Sequence, residues 1–310
     1  MDTQAAAETL EGVDHGNGKP HILVVPFPAQ GHMLALLDLA ALLATSGELM
    51  VTVAVTAGNA VLLDPLRASC PSMGVVTLPF PSSPLLPAGC GENTKDLPFH
   101  LFLMFLPSLA ALRAPLLSWC RAQRHRVTGI VSDMFMGWAR PRRIWAHGTA
   151  LYVAMACHLW SHMRRRTNNI DDDDELAIVF PNLPGAPSFA WRQLSAIYRN
   201  HKDGDKVSEA IRQILLWSFG SEYIVVNSFM ALEAGYLEPQ NLAEPRVLAV
   251  GPLSEAWANS GDRGGKPSVP ASTVPTWLDA FNTGSVVYVN FGTQHALSKK
   301  QDHNRPFIVL

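Results

Sequence analysis

A histidine ends the segment P-F-P-A-Q-G-H, residues 26–32, which directly follows an apolar run typical of a buried strand. Gly31 permits a tight backbone path into the next helix, so His32 is expected at or near that helix's N-terminus. The positive end of the helix dipole disfavours the imidazolium ion there and helps to keep the ring able to accept a proton. His32 is therefore a candidate general base, although a capping or buried structural histidine explains its position equally well.

An acidic residue, Asp133, follows a second apolar run at residues 128–132. A carboxylate at a strand end can hold one nitrogen of a histidine, fix its tautomer and stabilise the charge that the ring gains. Capping of the next helix is the simpler explanation for Asp133 taken alone. Both residues follow strands that end at the same edge of a parallel sheet, so together they predict a hydrogen-bonded His–Asp dyad.

Several other chemistries lack their sequence motifs. The chain contains no G-x-S-x-G, no G-x-x-x-x-G-K-[ST], and no G-x-G-x-x-G after a strand. This argues against an α/β-hydrolase, an NTPase and a nicotinamide enzyme. His158 and His162 have the i, i+4 spacing of a zinc helix, but Leu159 stands where H-E-x-x-H needs glutamate. They are interpreted as a helix-packing pair, and no metal site is predicted.

The net charge of the chain argues against two classes of binding partner. The 310 residues carry a formal net charge of −2, which gives no overall attraction to nucleic acid or to an anionic membrane. Residues 1–20 lack a basic segment followed by an apolar one, and proline or arginine interrupts the long apolar stretches, so neither a leader nor a membrane span is predicted. The four cysteines have no C-x-x-C spacing and are interpreted as buried thiols of a cytoplasmic protein.

The elements that must position the dyad alternate between strands and helices. Near-continuous Val and Ile runs flanked by helical segments, such as residues 34–44, predict an α/β fold with a doubly wound parallel sheet. Ligands of such sheets bind at the carboxyl ends of the strands. The predicted strands span residues 21–27, 51–56, 75–78, 128–132, 150–154 and 223–227.

Composition also suggests domain boundaries. Residues 1–20 are predicted to be disordered, and residues 21–253 to form one α/β domain. A Gly-, Ser- and Pro-rich stretch marks residues 254–275 as an interdomain linker. Residues 276–310, with a predicted strand at 285–291, would then begin a second domain, but they are too few to form its core.

Five ordered motifs resemble the plant family of UDP-dependent glycosyltransferases, especially members that act on flavonoids and other small phenolics. The motifs are H-I-L-V-V-P-F-P-A-Q-G-H-M-L at 21–34, V-S-D-M-F-M-G-W at 131–138, Y-I-V-V-N-S-F-M-A-L-E at 223–233, V-G-P-L at 250–253 and S-V-V-Y-V-N-F-G-T-Q at 285–294.

This resemblance implies a GT-B-type fold of two facing Rossmann-like domains, with the phenolic acceptor bound in the first and the UDP-sugar mainly in the second. It makes His32 the base that deprotonates the acceptor hydroxyl, and Asp133 its supporting acid. The hydroxyl then attacks the sugar with inversion of configuration. Gly31, Gly292 and Thr293 would contribute part of the donor site. The UDP-sugar is a co-substrate, and neither a metal nor another cofactor is expected.

Two stretches depart from the family pattern. The segment R-P-R-R-I-W-A-H-G-T at 140–149 replaces the usual alanine-rich helix and turn. After Ser298 the sequence reads K-K-Q-D-H-N-R-P-F-I-V-L, without the donor-binding signature that opens with W-A-P-Q and contains H-C-G-W-N-S. The first domain is therefore expected complete and the second only begun, with UDP-sugar binding weak or absent and transfer impaired. A non-catalytic acceptor-binding remnant and the product of an incomplete gene model remain as alternatives.

Overall fold

A parallel β-sheet of seven strands forms the centre of the molecule in this computed structural model, which describes residues 18–139, 143–146, 148–163, 174–237, 246–253, 269–270 and 272–288. The strands are β1 His21–Val25, β2 Met50–Thr56, β3 Gly74–Leu78, β4 Val127–Asp133, β5 Arg143–Ala146, β6 Ala177–Val179, β7 Ser188–Ala190, β8 Tyr223–Val226 and β9 Arg246–Ala249. The sheet order is β3-β2-β1-β4-β5-β8-β9, while β6 and β7 form a separate antiparallel pair.

Helices connect these strands. They are α1 Gln30–Thr45, α2 Ala57–Ala60, α3 Asp64–Ser69, α4 Phe102–Ser108, α5 Arg113–Ala122, α6 Ala150–His162, α7 Ala196–Arg199, α8 Lys206–Phe219, α9 Met230–Leu237 and α10 Thr273–Leu278. Short 3-10 turns lie between some of them, at Val61–Leu63, Thr94–Asp96, Phe99–Leu101, Leu109–Leu112, Met134–Ala139 and Trp191–Gln193.

Apolar side chains cover both faces of the sheet. Along β1, Leu23 and Val25 join one buried cluster, with side chains from α4, α5, α6 and α8, while Val24 joins another, with side chains from α1 and α3. This alternation follows from the period of two in a strand, and it explains why the strands read as continuous apolar runs. The predicted α/β fold with a doubly wound parallel sheet is confirmed.

The helical run 102–122, which includes α4 and α5, is long and apolar enough to cross a membrane by length and composition alone. In the folded chain Phe105, Leu109, Leu112 and Leu116 recur at helical spacing and are almost completely buried in the core. The apolar side of this run therefore packs against the rest of the protein.

Some predicted elements were wrong or incomplete. Residues 150–154, expected as a strand, begin helix α6, and the four strands β5, β6, β7 and β9 were not predicted. Of the strand expected at 285–291, residues 285–288 are described, and they pair with no described strand. The described part of the chain from 269 to 288 contains α10, which buries no residue.

The domain boundaries stay predictions. Residues 1–17 and 254–268, which contain most of the expected disordered N-terminus and linker, lie outside the described residues.

Candidate active site

Helix α1 and strand β4 bring His32 and Asp133 together. His32 lies in the first turn of α1, which follows β1, and Asp133 is the last residue of β4, the strand that pairs with β1. The His32 Nδ1 and Asp133 Oδ2 atoms are 2.8 Å apart. The predicted hydrogen bond is therefore confirmed, while the catalytic roles of the two residues stay predictions.

The carboxylate of Asp133 is completely buried and makes a different contact with each oxygen. Its Oδ1 accepts a hydrogen bond of 2.9 Å from the backbone N–H of Phe135, and its Oδ2 faces His32. A carboxylate only accepts hydrogen bonds, so Nδ1 of His32 must carry a proton. In the neutral ring the basic lone pair then belongs to Nε2, on the side away from Asp133.

Two phenylalanines surround the imidazole. The ring of Phe27 meets it edge-on, with centroids 5.4 Å apart, and that of Phe135 lies 5.3 Å away at an angle of 32°. The His32 side chain remains 20% exposed. Its ring is thus held in one orientation by apolar neighbours and a buried carboxylate, while part of it reaches the surface.

Burial and charge act on the pKa of His32 in opposite directions. Burial alone would lower this pKa, but the negative charge of Asp133 and the hydrogen bond to it raise the pKa above 6.5. The carboxylate thus outweighs the effect of desolvation, and it makes the imidazole a stronger base than an ordinary histidine.

We expect the His32 imidazole to titrate above pH 6.5 in the folded chain, because Asp133 favours its charged form. The raised pKa contributes stability that is fully present below the unfolded-state pKa and is lost as the pH rises through the folded-state pKa. Histidine NMR shifts recorded against pH would measure it, with His32→Gln identifying the resonance. In Asp133→Asn the pKa should fall, and an unchanged pKa would contradict this electrostatic account.

Of the three residues assigned to the donor site, Gly31 alone belongs to the described part of the chain. Gly31 is exposed in the first turn of α1, beside His32. Gly292 and Thr293 lie outside the described residues. The structure therefore brings together His32, Asp133 and Gly31, and the assignment of Gly31, Gly292 and Thr293 to a donor site stays a prediction.

A mostly apolar pocket of about 350 Å³, open space at its mouth included, lies beside the dyad at the carboxyl end of the sheet. It is lined by residues adjacent in sequence to Phe27, His32 and Phe135, namely Pro26, Pro28, Met33 and Met136. Thr56 and Asn59 give it a polar side.

A second pocket lies between α6 and the segment around α7. Its volume is about 360 Å³, open space at its mouth included. Its lining includes the aromatic side chains of Tyr152, Trp160 and Tyr198, with Ser195 as a polar neighbour. Burial raises the pKa of Tyr152, a hydrogen bond with Ser195 lowers it, and the charge of Asp133 raises it further. The charge of Asp133 therefore acts on Tyr152 in this pocket.

A buried carboxylate, Glu233, fixes the start of the helix that carries Tyr152. It accepts hydrogen bonds from the backbone N–H groups of Ala150 (2.9 Å) and Leu151 (3.1 Å) and from the hydroxyl of Ser228. Burial alone would raise the pKa of Glu233, but these hydrogen bonds lower it below its usual value. A negative charge also interacts favourably with the positive end of a helix dipole. The serine and glutamate of the motif at 223–233 thus act as a helix cap.

The asparagine of the same motif contacts the motif V-G-P-L. Asn227 Oδ1 accepts a hydrogen bond of 2.8 Å from the backbone N–H of Leu253, and the N–H of Gly251 donates to the carbonyl oxygen of Ser228 at 2.9 Å. A Cβ atom at position 251 would overlap with Asn227 Oδ1, so only glycine fits there. Hydrogen bonds between these two motifs therefore join the segment that follows β8 to the segment that follows β9.

Sequence reasoning missed Tyr152, because residues 150–154 were assigned to a strand. A signal was present: Thr149, whose side chain accepts a hydrogen bond from the Tyr152 N–H, precedes 13 residues without proline or glycine. An N-cap followed by such a run is typical of a helix. The aromatic contact of Phe27 with His32 had no comparable signal, since it depends on how β1 and α1 pack.

No family model matches the chain. Among curated proteins, the flavonol 3-O-glucosyltransferase UGT89B1 of Arabidopsis thaliana is 40% identical over 301 residues, which are 93% of this chain and 62% of that protein. The UDP-glycosyltransferase 89B2 of Stevia rebaudiana is 38% identical over 296 residues, covering 92% of this chain and 62% of that protein. The chain thus spans less than two thirds of the length of these relatives.

Solved structures of a plant protein also match this chain. Arabidopsis thaliana UGT89C1 complexed with UDP matches with a TM-score of 0.64 and 27% identity, covering 90% of this chain and 60% of that one. The same protein complexed with quercetin matches with a TM-score of 0.63 and 25% identity, covering 92% of this chain and 61% of that one.

Proposed function

We propose that the chain, which is similar to plant UDP-dependent glycosyltransferases, is the acceptor-binding part of an inverting O-glycosyltransferase. The sugar would come from a UDP-sugar, and the acceptor would be a hydroxyl group of a small phenolic compound such as a flavonoid. The observation that carries the proposal is the hydrogen bond between His32 and Asp133 at the carboxyl end of the sheet.

In the proposed reaction, Nε2 of His32 takes the proton from the acceptor hydroxyl as its oxygen attacks the anomeric carbon of the sugar. The new carbon–oxygen bond forms on the face opposite UDP. The bond from that carbon to the diphosphate breaks, and its electron pair leaves with UDP. Asp133 stabilises the imidazolium ion that results, and the proton passes to solvent in the next step. The dyad includes no nucleophilic side chain, so a single displacement with inversion is the pathway that fits it.

The pocket lined by Tyr152, Trp160 and Tyr198 is the proposed site of the aromatic acceptor. Aromatic side chains offer flat apolar surface, and the Tyr152 and Ser195 hydroxyls supply polar contacts, which together suit a planar polyphenol. The matched relative is named a flavonol glucosyltransferase, and the matched structure is described as a quercetin complex. A flavonol is therefore the acceptor to test first.

We place the protein in the cytoplasm, because its four cysteines are free thiols, as suits a reducing compartment. The co-substrate is a UDP-sugar, and the proposed displacement needs no metal.

For the 310 residues alone we expect binding of quercetin but little transfer from UDP-glucose. The proposed acceptor pocket and the proposed base both belong to the described residues, while the proposed UDP-sugar site would need the part of the relatives that this chain does not span. Isothermal titration would measure quercetin binding, and labelled UDP-glucose would measure transfer. Tyr152→Ala should weaken binding at least about tenfold, since loss of a buried aromatic contact costs about 1.4 kcal/mol or more.

Tyr236→Ala is the matched control, because Tyr236 is half-buried outside this pocket, with its hydroxyl donating to the carbonyl oxygen of Pro184. Quercetin affinity should be unchanged in it. Failure of the unmodified chain to bind any flavonol would overturn the proposed acceptor class. Rapid transfer would show that the chain carries a working UDP-sugar site, and binding without transfer even with a donor domain supplied would favour a non-catalytic binding protein.

A further inference from the structure

Three side chains of the types that can bind metal ions lie close together at the start of α8. They are His201, Asp203 and Glu209, and one donor atom from each lies within 4.8 Å of the other two. Nε2 of His201 is 3.6 Å from Asp203 Oδ1 and 3.5 Å from Glu209 Oε1. The cluster involves neither member of the dyad, and nothing in the proposed transfer reaction uses it.

These distances are longer than hydrogen bonds. A charged N–H···O hydrogen bond to a carboxylate spans about 2.7–2.9 Å, so a proton on Nε2 alone would leave both carboxylates outside that range. Zinc binds nitrogen and carboxylate oxygen at about 2.0–2.2 Å, and the edge of a tetrahedron with such bonds is roughly 3.3–3.6 Å. The separations from Nε2 to the two oxygens match that edge.

The imidazole is already held in place for such a role. The His201 side chain is only 4% exposed, its ring meets that of Trp160 edge-on at 5.7 Å, and its backbone N–H donates to the carbonyl oxygen of Tyr198 at 3.1 Å. A ligand fixed by packing loses little conformational freedom when a metal binds.

Each carboxylate presents one oxygen to His201. Arg212 pairs with Oε2 of Glu209 at 3.7 Å, while Oε1, which also accepts a hydrogen bond of 3.4 Å from the backbone N–H of Gly204, faces His201. The N-terminus of α8 is capped by Asp205, which accepts a hydrogen bond from the Ser208 N–H, and Asp203 is not used for that purpose. The cationic side chains of Lys202 and Lys206 are nearby in sequence and are exposed.

We propose that His201, Asp203 and Glu209 form a zinc site, with water in the fourth position. Its ligands come from the turn before α8 and from the first turn of that helix, so the ion would tie the two together. The site is independent of the proposed glycosyl transfer and would act on the stability of this segment.

The test uses the full 310-residue chain, freed of metal with EDTA and dialysed. Isothermal titration with zinc chloride should give one site per chain, and zinc should raise the melting temperature, with an increase that grows with the logarithm of its concentration above the Kd. His201→Gln and Glu209→Gln should each weaken zinc binding at least about tenfold. Glu209 is a surface residue, so its variant tests the site even if the change at buried His201 disturbs folding.

His162→Gln is the matched control. His158 and His162 have the i, i+4 spacing of a zinc helix outside the proposed site, and their rings lie 4.5 Å apart. Zinc affinity should be unchanged in this variant. Cobalt in place of zinc should give the absorption of nitrogen and oxygen ligands, without the charge-transfer band of a thiolate. Absence of zinc binding, loss of binding in His162→Gln alone, or a cobalt–thiolate band would each overturn the proposal.

Discussion

Replacing His32 with alanine is expected to lower the turnover of sugar transfer by about 10²–10⁴-fold, the usual contribution of a general base. The measurement needs a chain with a complete donor site. A suitable one is a chimera that follows residue 298 with the part of UGT89B1 that this chain does not span. The KM for the acceptor should change little, because the pocket around Tyr152 does not include His32.

Asp133→Asn separates the role of the carboxylate from that of the ring. The Phe135 N–H needs an acceptor, so the amide oxygen should replace Oδ1 and the amide NH₂ should face Nδ1 of His32. A donor at that position forces Nδ1 to accept and moves the proton to Nε2, the nitrogen that must act as base. A loss approaching that of His32→Ala, about 10⁴-fold, is then expected although the shape is conserved.

Less than a tenfold loss in the His32→Ala chimera would exclude His32 as the base. A normal rate in Asp133→Asn with a lowered rate in His32→Ala would mean that the tautomer is fixed by something other than Asp133.

The dyad could be predicted from sequence because each member follows a strand with a strong local pattern. The β1 and β4 runs are rich in Val and Ile, and parallel strands all present their carboxyl ends at one edge of the sheet. The sequence therefore placed His32 and Asp133 at the same edge, and the direct pairing of β1 with β4 then brings them to 2.8 Å. What the sequence did not show is that β1 and β4 are neighbours in the sheet, which only the structure reveals.

Helix α6 and strand β5 show where local patterns fail. The start of α6 is apolar all round, because the helix packs among the sheet, α8 and α9, and a short run of this kind has no clear period. Strand β5 follows a basic, proline-containing stretch, and it exists because it pairs on both sides, with β4 and β8. Tertiary hydrogen bonds outweighed local propensity there.

The proposed acceptor pocket could not be predicted for a different reason. Its aromatic lining combines Tyr152 and Trp160 of α6 with Tyr198 of α7, and these helices are separated by more than thirty residues. The cluster of His201, Asp203 and Glu209 is local in sequence, but its geometry depends on the packing of His201 against Trp160. Sites of this kind need the fold before their residues can be recognised.

Gly137→Ala is expected to destabilise the fold by at least about 3 kcal/mol, at the upper end of the usual cost of overpacking a core. Gly137 belongs to the 3-10 turn after Asp133, and helix α8 crosses it so closely that a Cβ atom would overlap with the carbonyl oxygen of Ile214 and the hydroxyl of Ser218. That hydroxyl donates to the carbonyl oxygen of Met134 at 2.6 Å. The obstacle includes helix backbone, which cannot turn aside as a flexible side chain could.

A melting temperature lower by roughly 6–12 °C would correspond to this change in a domain of this size. Gly235→Ala is the matched control: its Cβ atom would find its nearest neighbour, Pro184, at 3.9 Å, and alanine is the better helix former in α9. Its stability should stay within about 1 kcal/mol of the unmodified chain. Because Phe135 lies in this turn and Asp133 directly precedes it, the His32 pKa should also shift in Gly137→Ala. Equal melting temperatures for the two variants would show that α8 can move away, and that this glycine is not required by the packing behind the dyad.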